Sequence, residues 1–151
     1  MIYLIGSLRN PEVPLLAAYL RAATGLEVFD SWYAAGSRAD DHWRDYEQAR
    51  GYNLEQALQG YAARHIVAFD REHLHRASYV VLVMPAGKSG HLEFGYAVGR
   101  GTRGFVYLAD DPERFDVMYG LEPGCPVVVY TKSELAGAIL AAHGREGGCY
   151  A

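Results

Sequence analysis

Glu93 is the side chain in this sequence whose type and position are best suited to chemistry. It follows a loop that carries Gly87, Ser89 and Gly90, which can wrap a ligand, and it opens an apolar helical pattern. We expect Glu93 in the first turn of that helix, where the positive end of the helix dipole favours an ionised carboxylate. An ionised carboxylate facing a pocket is a nucleophile for an acetal carbon, although glutamate in a first turn is also a common structural choice.

Asp70 is a second acidic candidate, in a polar stretch that precedes the apolar segment 79–84. Together with Glu93 it would supply the two carboxylates that cleavage of a glycosidic bond generally uses. Arg71 follows it directly, and an aspartate beside an arginine is more often a solvated charge. Spacing along the chain does not decide between these two roles.

The segment 3–10 provides a third set of polar groups, after the first apolar run. Gly6 permits a close approach of the backbone to a ligand. Ser7, Arg9 and the amides that open the next helix could hold a phosphate. An ordinary turn after a first strand explains the same residues equally well.

Several classes of site and protein are not expected. The histidines lack metal-ligand spacing, so we expect no metal and no cofactor, and Gly87-Lys88-Ser89 lacks the upstream glycine of a P-loop. Cys125 and Cys149 are expected to be free thiols in a reducing compartment, the cytoplasm. With a net charge of −4 and no long basic run, the chain has no general attraction for polymeric nucleic acid.

The chain is expected to form one domain over residues 1–151, without a membrane partner. Its longest apolar run, 79–84, is far shorter than the about 20 residues that a membrane-spanning helix needs. The N-terminal residues 1–5 have no basic flank and lead directly into Gly6. They indicate a strand and not a signal peptide.

The elements that must position these residues alternate between strands and helices. Five short apolar segments predict strands buried on both faces, at 2–5, 26–29, 79–84, 105–108 and 126–130. Helical patterns lie between them: one capped by Asn10 with Pro11 at its first position, and others at 53–77, 92–99 and 132–143, the last ending near Gly144. This alternation predicts an α/β three-layer sandwich with a five-stranded parallel sheet in the order 2-1-3-4-5.

Residues 30–46 interrupt this alternation. The segment is polar and aromatic, and it is longer than the usual connection of about 2–6 residues between a strand and a helix. Trp32, Tyr33 or Trp43 could stack on a bound base if the segment is a lid, or could be the lid's own core. A packed contact between two subunits is the alternative interpretation.

Taken together, these residues make the sequence resemble the nucleoside 2-deoxyribosyltransferase superfamily, which includes the deoxynucleoside 5′-monophosphate N-glycosidases. The resemblance is carried by residues 3–7, by Asp70 and by residues 89–97, and it covers roughly residues 1–110. Its most specific part is the Gly-x-x-Glu-x-Gly-Tyr-Ala block that contains Glu93. The chain looks most like small phage or prophage members of the superfamily.

The resemblance implies a flavodoxin-like fold, no metal, and a homodimer or larger homo-oligomer whose subunits share residues between active sites. It makes Glu93 the nucleophile of a glycosyl-enzyme intermediate, Tyr3 the tyrosine that steadies it, and Asp70 an acidic residue near the ribose and base. Residues 6–9 are more similar to the Gly-Ser-Ile-Arg of the monophosphate N-glycosidases than to the free-nucleoside transferases, and Ser89 would be a second phosphate contact.

Two features depart from the superfamily: a shorter distance from Ser89 to Glu93 than in the monophosphate hydrolases, and the segment 30–46. The expected function is cleavage of the N-glycosidic bond of a (deoxy)nucleoside or its 5′-monophosphate, with transfer of the sugar to another base or to water. A non-catalytic nucleotide sensor and an NAD-type glycohydrolase are the alternatives. The sequence leaves open the base, the choice of ribose or deoxyribose, and hydrolysis against transfer.

Overall fold

The computed structural model describes residues 1–112, 116–121 and 124–147. Its five strands form one all-parallel sheet in the order β2-β1-β3-β4-β5, which confirms the expected flavodoxin-like α/β arrangement. The strands are β1 (Ile2–Ile5), β2 (Val28–Phe29), β3 (Tyr79–Val83), β4 (Arg103–Tyr107) and β5 (Val127–Val129).

Six α-helices accompany the sheet: α1 (Glu12–Thr24), α2 (Ala39–Ala49), α3 (Leu54–Leu58), α4 (Tyr61–Arg76), α5 (Lys88–Gly99) and α6 (Lys132–Gly147). Helix α1 begins at Glu12, one residue later than expected, and the side chain of Asn10 accepts the backbone N–H of Glu12. Asn10 is itself buried, and its amide group donates to the carbonyls of Val83 and Pro85. It therefore ties the start of α1 to the end of β3.

The two faces of the sheet are covered by different helices. Side chains alternate along a strand, so Ile2 and Leu4 pack with α1 and α6, whereas Tyr3 and Ile5 point to the opposite face. That face is covered by α5 and by the C-terminal end of α4. The aromatic ring of Tyr3 is therefore directed towards α5.

The helix α5 lies unusually close to β4 at Gly104. A Cβ atom built at Gly104 would lie only 2.6 Å from Val98 and 2.9 Å from Phe94, both on α5. Only glycine allows this approach without a shift of the helix. The same contact holds the middle of α5, where Glu93 lies, at a defined height above the sheet.

Several expected boundaries were wrong. The helix expected at 53–77 is two helices. A capping box between Asn53 and Gln56 begins the short α3, and the extended backbone of Gly60 separates α3 from α4. Helix α6 continues past Gly144 to Gly147, and β2 has only two residues. The helix expected to begin at Leu92 begins at Lys88, one turn earlier.

Residues 30–46 do not form the irregular loop that was expected. They form a 3₁₀ turn at Ser31–Ala35 and then most of α2, whose first turn carries Asp40 and Asp41. Acidic side chains interact favourably with the N-terminal end of a helix.

Among the described residues, no helix is long and apolar enough to cross a membrane.

Candidate active site

A hydrogen bond between Tyr3 and Glu93 is the centre of the site. The hydroxyl of Tyr3, on β1, donates to Oε1 of Glu93, on α5, over 2.7 Å. The Tyr3 ring is almost fully buried and stacks on Phe29 of β2 with centroids 4.9 Å apart. The structure thus joins two residues 90 positions apart that sequence analysis had placed in one site.

Glu93 lies in the second turn of α5, not in the first turn as expected, because the helix begins at Lys88. The favourable effect of a helix N-terminus falls off within the first turn, so it does not keep this carboxyl ionised. Burial instead raises the pKa of Glu93 to about 7, the Tyr3 hydrogen bond lowers it, and the charge of Asp70 raises it. Near neutral pH, Glu93 therefore exists in both charge states.

Asp70 lies on α4 and is part of the same electrostatic system. Burial raises its pKa, and nearby His73 lowers it. The negative charge of Asp70 also raises the pKa of Tyr3, after the larger effects of burial and Glu93. These mutual effects place the three titratable groups of Tyr3, Glu93 and Asp70 around one location.

That location lies between α4 and α5, over the sheet face that both helices cover, and the space between the two helices is called the groove below. The Nε2 atom of His75, on α4, lies 2.7 Å from the hydroxyl of Tyr96, on α5, and this contact joins the two helices. Asp70 precedes His75 and Glu93 precedes Tyr96 by about one turn each, so both carboxyls lie on the same side of the contact. Tyr3 is the second residue of β1, so its side chain reaches Glu93 from the face of the sheet.

An aromatic cluster borders the groove and was missed by sequence analysis. His73 stacks on Phe29 with centroids 4.2 Å apart and contacts Phe69 at 4.4 Å. The Nδ1 atom of His73 lies 2.8 Å from the carbonyl oxygen of Phe69. Phe69 and His73 are four residues apart and flank Asp70, so helical spacing was the signal that could have identified them.

The β1–α1 loop contains the residues expected to bind phosphate. The Oγ atom of Ser7 accepts the backbone N–H of Arg9, and the Arg9 guanidinium donates to Asp41 of α2 over 3.0 Å. Gly6 is packed closely, because a Cβ atom there would lie 3.0 Å from Val13. Gly6 therefore has a packing role whether or not a ligand approaches it.

The amides that open α1 are already bonded within the chain. Asn10 N–H donates to the carbonyl of Ser7, Val13 N–H donates to the carbonyl of Asn10, and Glu12 N–H donates to the Asn10 side chain. Pro11 has no N–H. The expectation that these amides bind a phosphate is therefore wrong. The Ser7 hydroxyl and the Arg9 guanidinium are the remaining candidates for a phosphate contact in this loop.

The loop before α5 has a different role for each of its candidate residues. Gly87 precedes the helix, and its carbonyl accepts the N–H of His91. Gly90 is buried against Ile5 of β1. Ser89 is exposed on the first turn of α5, four residues before Glu93 and so on the same side of the helix. An open depression beside this loop is lined by Ala86, Gly87, Lys88, His91, Leu92 and Asp116, without Glu93.

The three candidate aromatic residues each have contacts elsewhere in the structure. Trp32 donates its indole N–H to the carbonyl of Leu4 over 2.8 Å and packs against both cores. Tyr33 packs against the core on the α1 and α6 side of the sheet. Trp43 lines a separate cavity of about 110 Å³ beside Glu47, with an indole nitrogen that is buried and has no hydrogen-bond partner in the described part of the chain.

Metal ligands and thiols contribute nothing to this groove. Among the residues that the structure describes, no group of three or more His, Cys, Asp and Glu side chains could hold a metal ion. Cys125 is a free thiol whose sulfur accepts the N–H of Gly104, and Cys149 lies outside the described residues.

Comparison with known proteins adds no identification. No protein-family model, no curated protein and no solved structure matches the chain.

Proposed function

We propose that this chain cleaves the N-glycosidic bond of a (deoxy)nucleoside or its 5′-monophosphate, with Glu93 as the nucleophile. The observation that carries the proposal is the hydrogen bond from the buried Tyr3 hydroxyl to Glu93, with Asp70 close enough to change the pKa of both. Two neighbouring carboxyls are what cleavage of a glycosidic bond generally uses. The resemblance of the Glu93 block to the deoxyribosyltransferase superfamily specifies a base as the leaving group.

The reaction would proceed in two displacements. The ionised carboxylate of Glu93 attacks C1′, the C1′–N bond breaks, and its electron pair leaves with the base, which takes a proton through Asp70 or from solvent. A second base or water then attacks C1′ and gives up its proton to Asp70 or to solvent, and the ester bond to Glu93 breaks and restores the carboxylate. Tyr3 holds the attacking oxygen in place and favours its ionised form.

Asp70 would also orient the sugar. Its charge opposes ionisation of Glu93, so a pair of carboxyls in this groove keeps one proton more readily than it loses both. Exclusion of water from the groove would favour transfer of the sugar to a base over hydrolysis. An assay with and without an added base measures whether the sugar is transferred to a base or to water.

The deciding experiment is a base-release screen over nucleosides, their 5′-monophosphates and NAD, with and without an acceptor base. Glu93→Ala and Glu93→Gln should lose about a thousandfold or more in turnover and keep their fold, because the nucleophile is gone. Glu72→Gln, an exposed position on α4, is the matched control and should behave as the unaltered chain.

Near-normal turnover in Glu93→Ala would refute the assignment of the nucleophile. Saturable binding of nucleotides without any base release by the unaltered chain would identify a nucleotide sensor instead. If the screen gives its highest kcat/KM for release of nicotinamide from NAD, the chain is a glycohydrolase for dinucleotides.

A further inference from the structure

The guanidinium of Arg9 is already occupied by a carboxylate of the same chain. Its nitrogen lies 3.0 Å from Oδ2 of Asp41, which is 32 residues later and belongs to α2. The other oxygen of Asp41 lies 3.3 Å from the guanidinium of Arg44. A single carboxylate is thus placed between two arginine side chains at the β1–α1 loop.

This ion pair is accessible and replaceable. The side chains of Arg9 and Asp41 keep 53% and 31% of their surface exposed. An exposed ion pair contributes little to stability, so a competing anion can displace the carboxylate at low cost. The pair is therefore suited to exchange and not to holding the fold.

A phosphate monoester is a stronger partner for the same cation. It carries a charge of about −1.5 to −2 near neutral pH and three acceptor oxygens, against one charge and two oxygens for Asp41. A guanidinium pairs with either group in the same two-pronged geometry. Ser7 adds a hydroxyl whose oxygen is held by the Arg9 N–H, which leaves its O–H free to donate to an anion.

We infer that Asp41 stands in for the 5′-phosphate of the substrate and is displaced from Arg9 when a nucleoside 5′-monophosphate binds. The inference rests on the proposed function, since it assigns the phosphate end of that same substrate. Asp41 is then a specificity-determining residue. It competes with the substrate's phosphate for the Arg9 guanidinium, whereas the binding of a nucleoside with a free 5′-hydroxyl is unaffected. Displacement also separates α2 from the β1–α1 loop, so phosphate binding and the position of α2 are coupled.

The test compares Asp41→Asn with Asp45→Asn. Both changes remove one negative charge from α2, but among the described residues Asp45 forms its ion pair with Arg44 and not with Arg9. Asp41→Asn should lower the KM for 5′-monophosphates about three- to tenfold and leave the KM for free nucleosides within twofold. Asp45→Asn should change neither, and the gain should disappear when Asp41→Asn is combined with Arg9→Ala.

A binding measurement keeps this test independent of turnover. Calorimetric titration with 2-deoxyribose 5-phosphate, and with 2-deoxyribose as the uncharged control, should show the same three- to tenfold tightening in Asp41→Asn for the phosphate alone. If the chain releases no base but this tightening is found, the proposed function fails and the Asp41 site stands. If base is released but Asp41→Asn and Asp45→Asn act alike, or both ligands tighten equally, the Asp41 inference is overturned and the function stands.

Discussion

At the scale of single residues, the charge state of Glu93 is set by three opposing effects. Burial is the largest and raises its pKa, the hydrogen bond from Tyr3 lowers the pKa, and the charge of Asp70 raises it. Each of the two neighbours can be removed without changing the size of the side chain much. The resulting changes in the pKa of Glu93 have opposite signs.

Tyr3→Phe removes the group that favours the ionised carboxylate, so the pKa of Glu93 should rise above about 7. Asp70→Asn removes a like charge, so the same pKa should fall. Because the attack requires ionised Glu93, the acidic limb of the kcat/KM profile should move to higher pH in Tyr3→Phe and to lower pH in Asp70→Asn. Tyr61→Phe, at an exposed tyrosine, is the control and should leave the limb in place.

A shift in the same direction for both variants would contradict this arrangement of charges. The overall loss of rate in each variant does not enter the comparison. The position of the limb depends on the pKa, whereas its height depends on the catalytic roles of Tyr3 and Asp70.

Burial of Glu93 should also destabilise the fold at higher pH. Its pKa is about 7 in the folded chain against an ordinary 4.5, so the folded state binds the proton more tightly than the unfolded state. The free energy of unfolding therefore falls as pH rises from about 4.5 through about 7. Glu93→Gln should be more stable than the unaltered chain by about 1–3 kcal/mol at pH 8.

Urea unfolding at two pH values measures this effect. At a pH near 4.5 most of the Glu93 carboxyl in the folded chain is protonated, and the advantage of Glu93→Gln should become small. An equal difference at both pH values would show that the substitution acts through packing and not through the buried charge.

At the scale of elements, the position of Glu93 depends on how closely α5 approaches β4. Gly104→Ala places a methyl group 2.6 Å from the Val98 side chain, so the side chains of Val98 and Phe94, or α5 with them, must shift to accommodate it. We expect a loss of about 1–3 kcal/mol in the free energy of unfolding, as in other overpacked cores. The hydrogen bond from Tyr3 to Glu93 should weaken with the shift, and turnover should fall accordingly.

Gly95→Ala is the matched control on the same helix. A Cβ atom at Gly95 meets no atom within 4 Å, so alanine there should stabilise α5 by about 0.5–1 kcal/mol through its helix propensity. Urea unfolding of both variants separates the two effects. Equal stability of Gly104→Ala and the unaltered chain would show that α5 moves freely over β4.

At the scale of the whole molecule, α3 and α4 present apolar side chains to solvent. Leu54, Leu58, Tyr61, Ile66 and Val67 are each between 49% and 87% exposed. Large exposed apolar side chains grouped on neighbouring helices are typical of a contact with another protein. The expected homo-oligomer remains a prediction, and this surface is where we expect the contact.

Sedimentation velocity should show a dimer or larger species, and Ile66→Glu should shift it towards the monomer, because a buried unpaired charge is costly at an interface. Leu15→Glu, at an exposed leucine of α1 on the other side of the sheet, should leave the assembly unchanged. A monomer at all concentrations in the unaltered chain would exclude self-association through this surface.

The sequence by itself determined the fold class and much of the candidate centre. Continuous apolar runs are typical of parallel strands buried on both faces, and their alternation with helical patterns led to the observed strand order. Tyr3, Asp70 and Glu93 were identified from residue type and from a family resemblance. Local sequence was sufficient for these predictions, because a strand pattern or a short motif depends only on residues that are close together in the chain.

Only the tertiary structure decided how those residues interact. Because α5 starts at Lys88, Glu93 lies away from the helix N-terminus, and burial of its carboxyl raises its pKa to about 7. The pairing of Arg9 with Asp41 and the hydrogen bond from Trp32 to the carbonyl of Leu4 are likewise contacts between distant segments. Local sequence does not encode such contacts, because they arise when helices from different parts of the chain pack on one sheet.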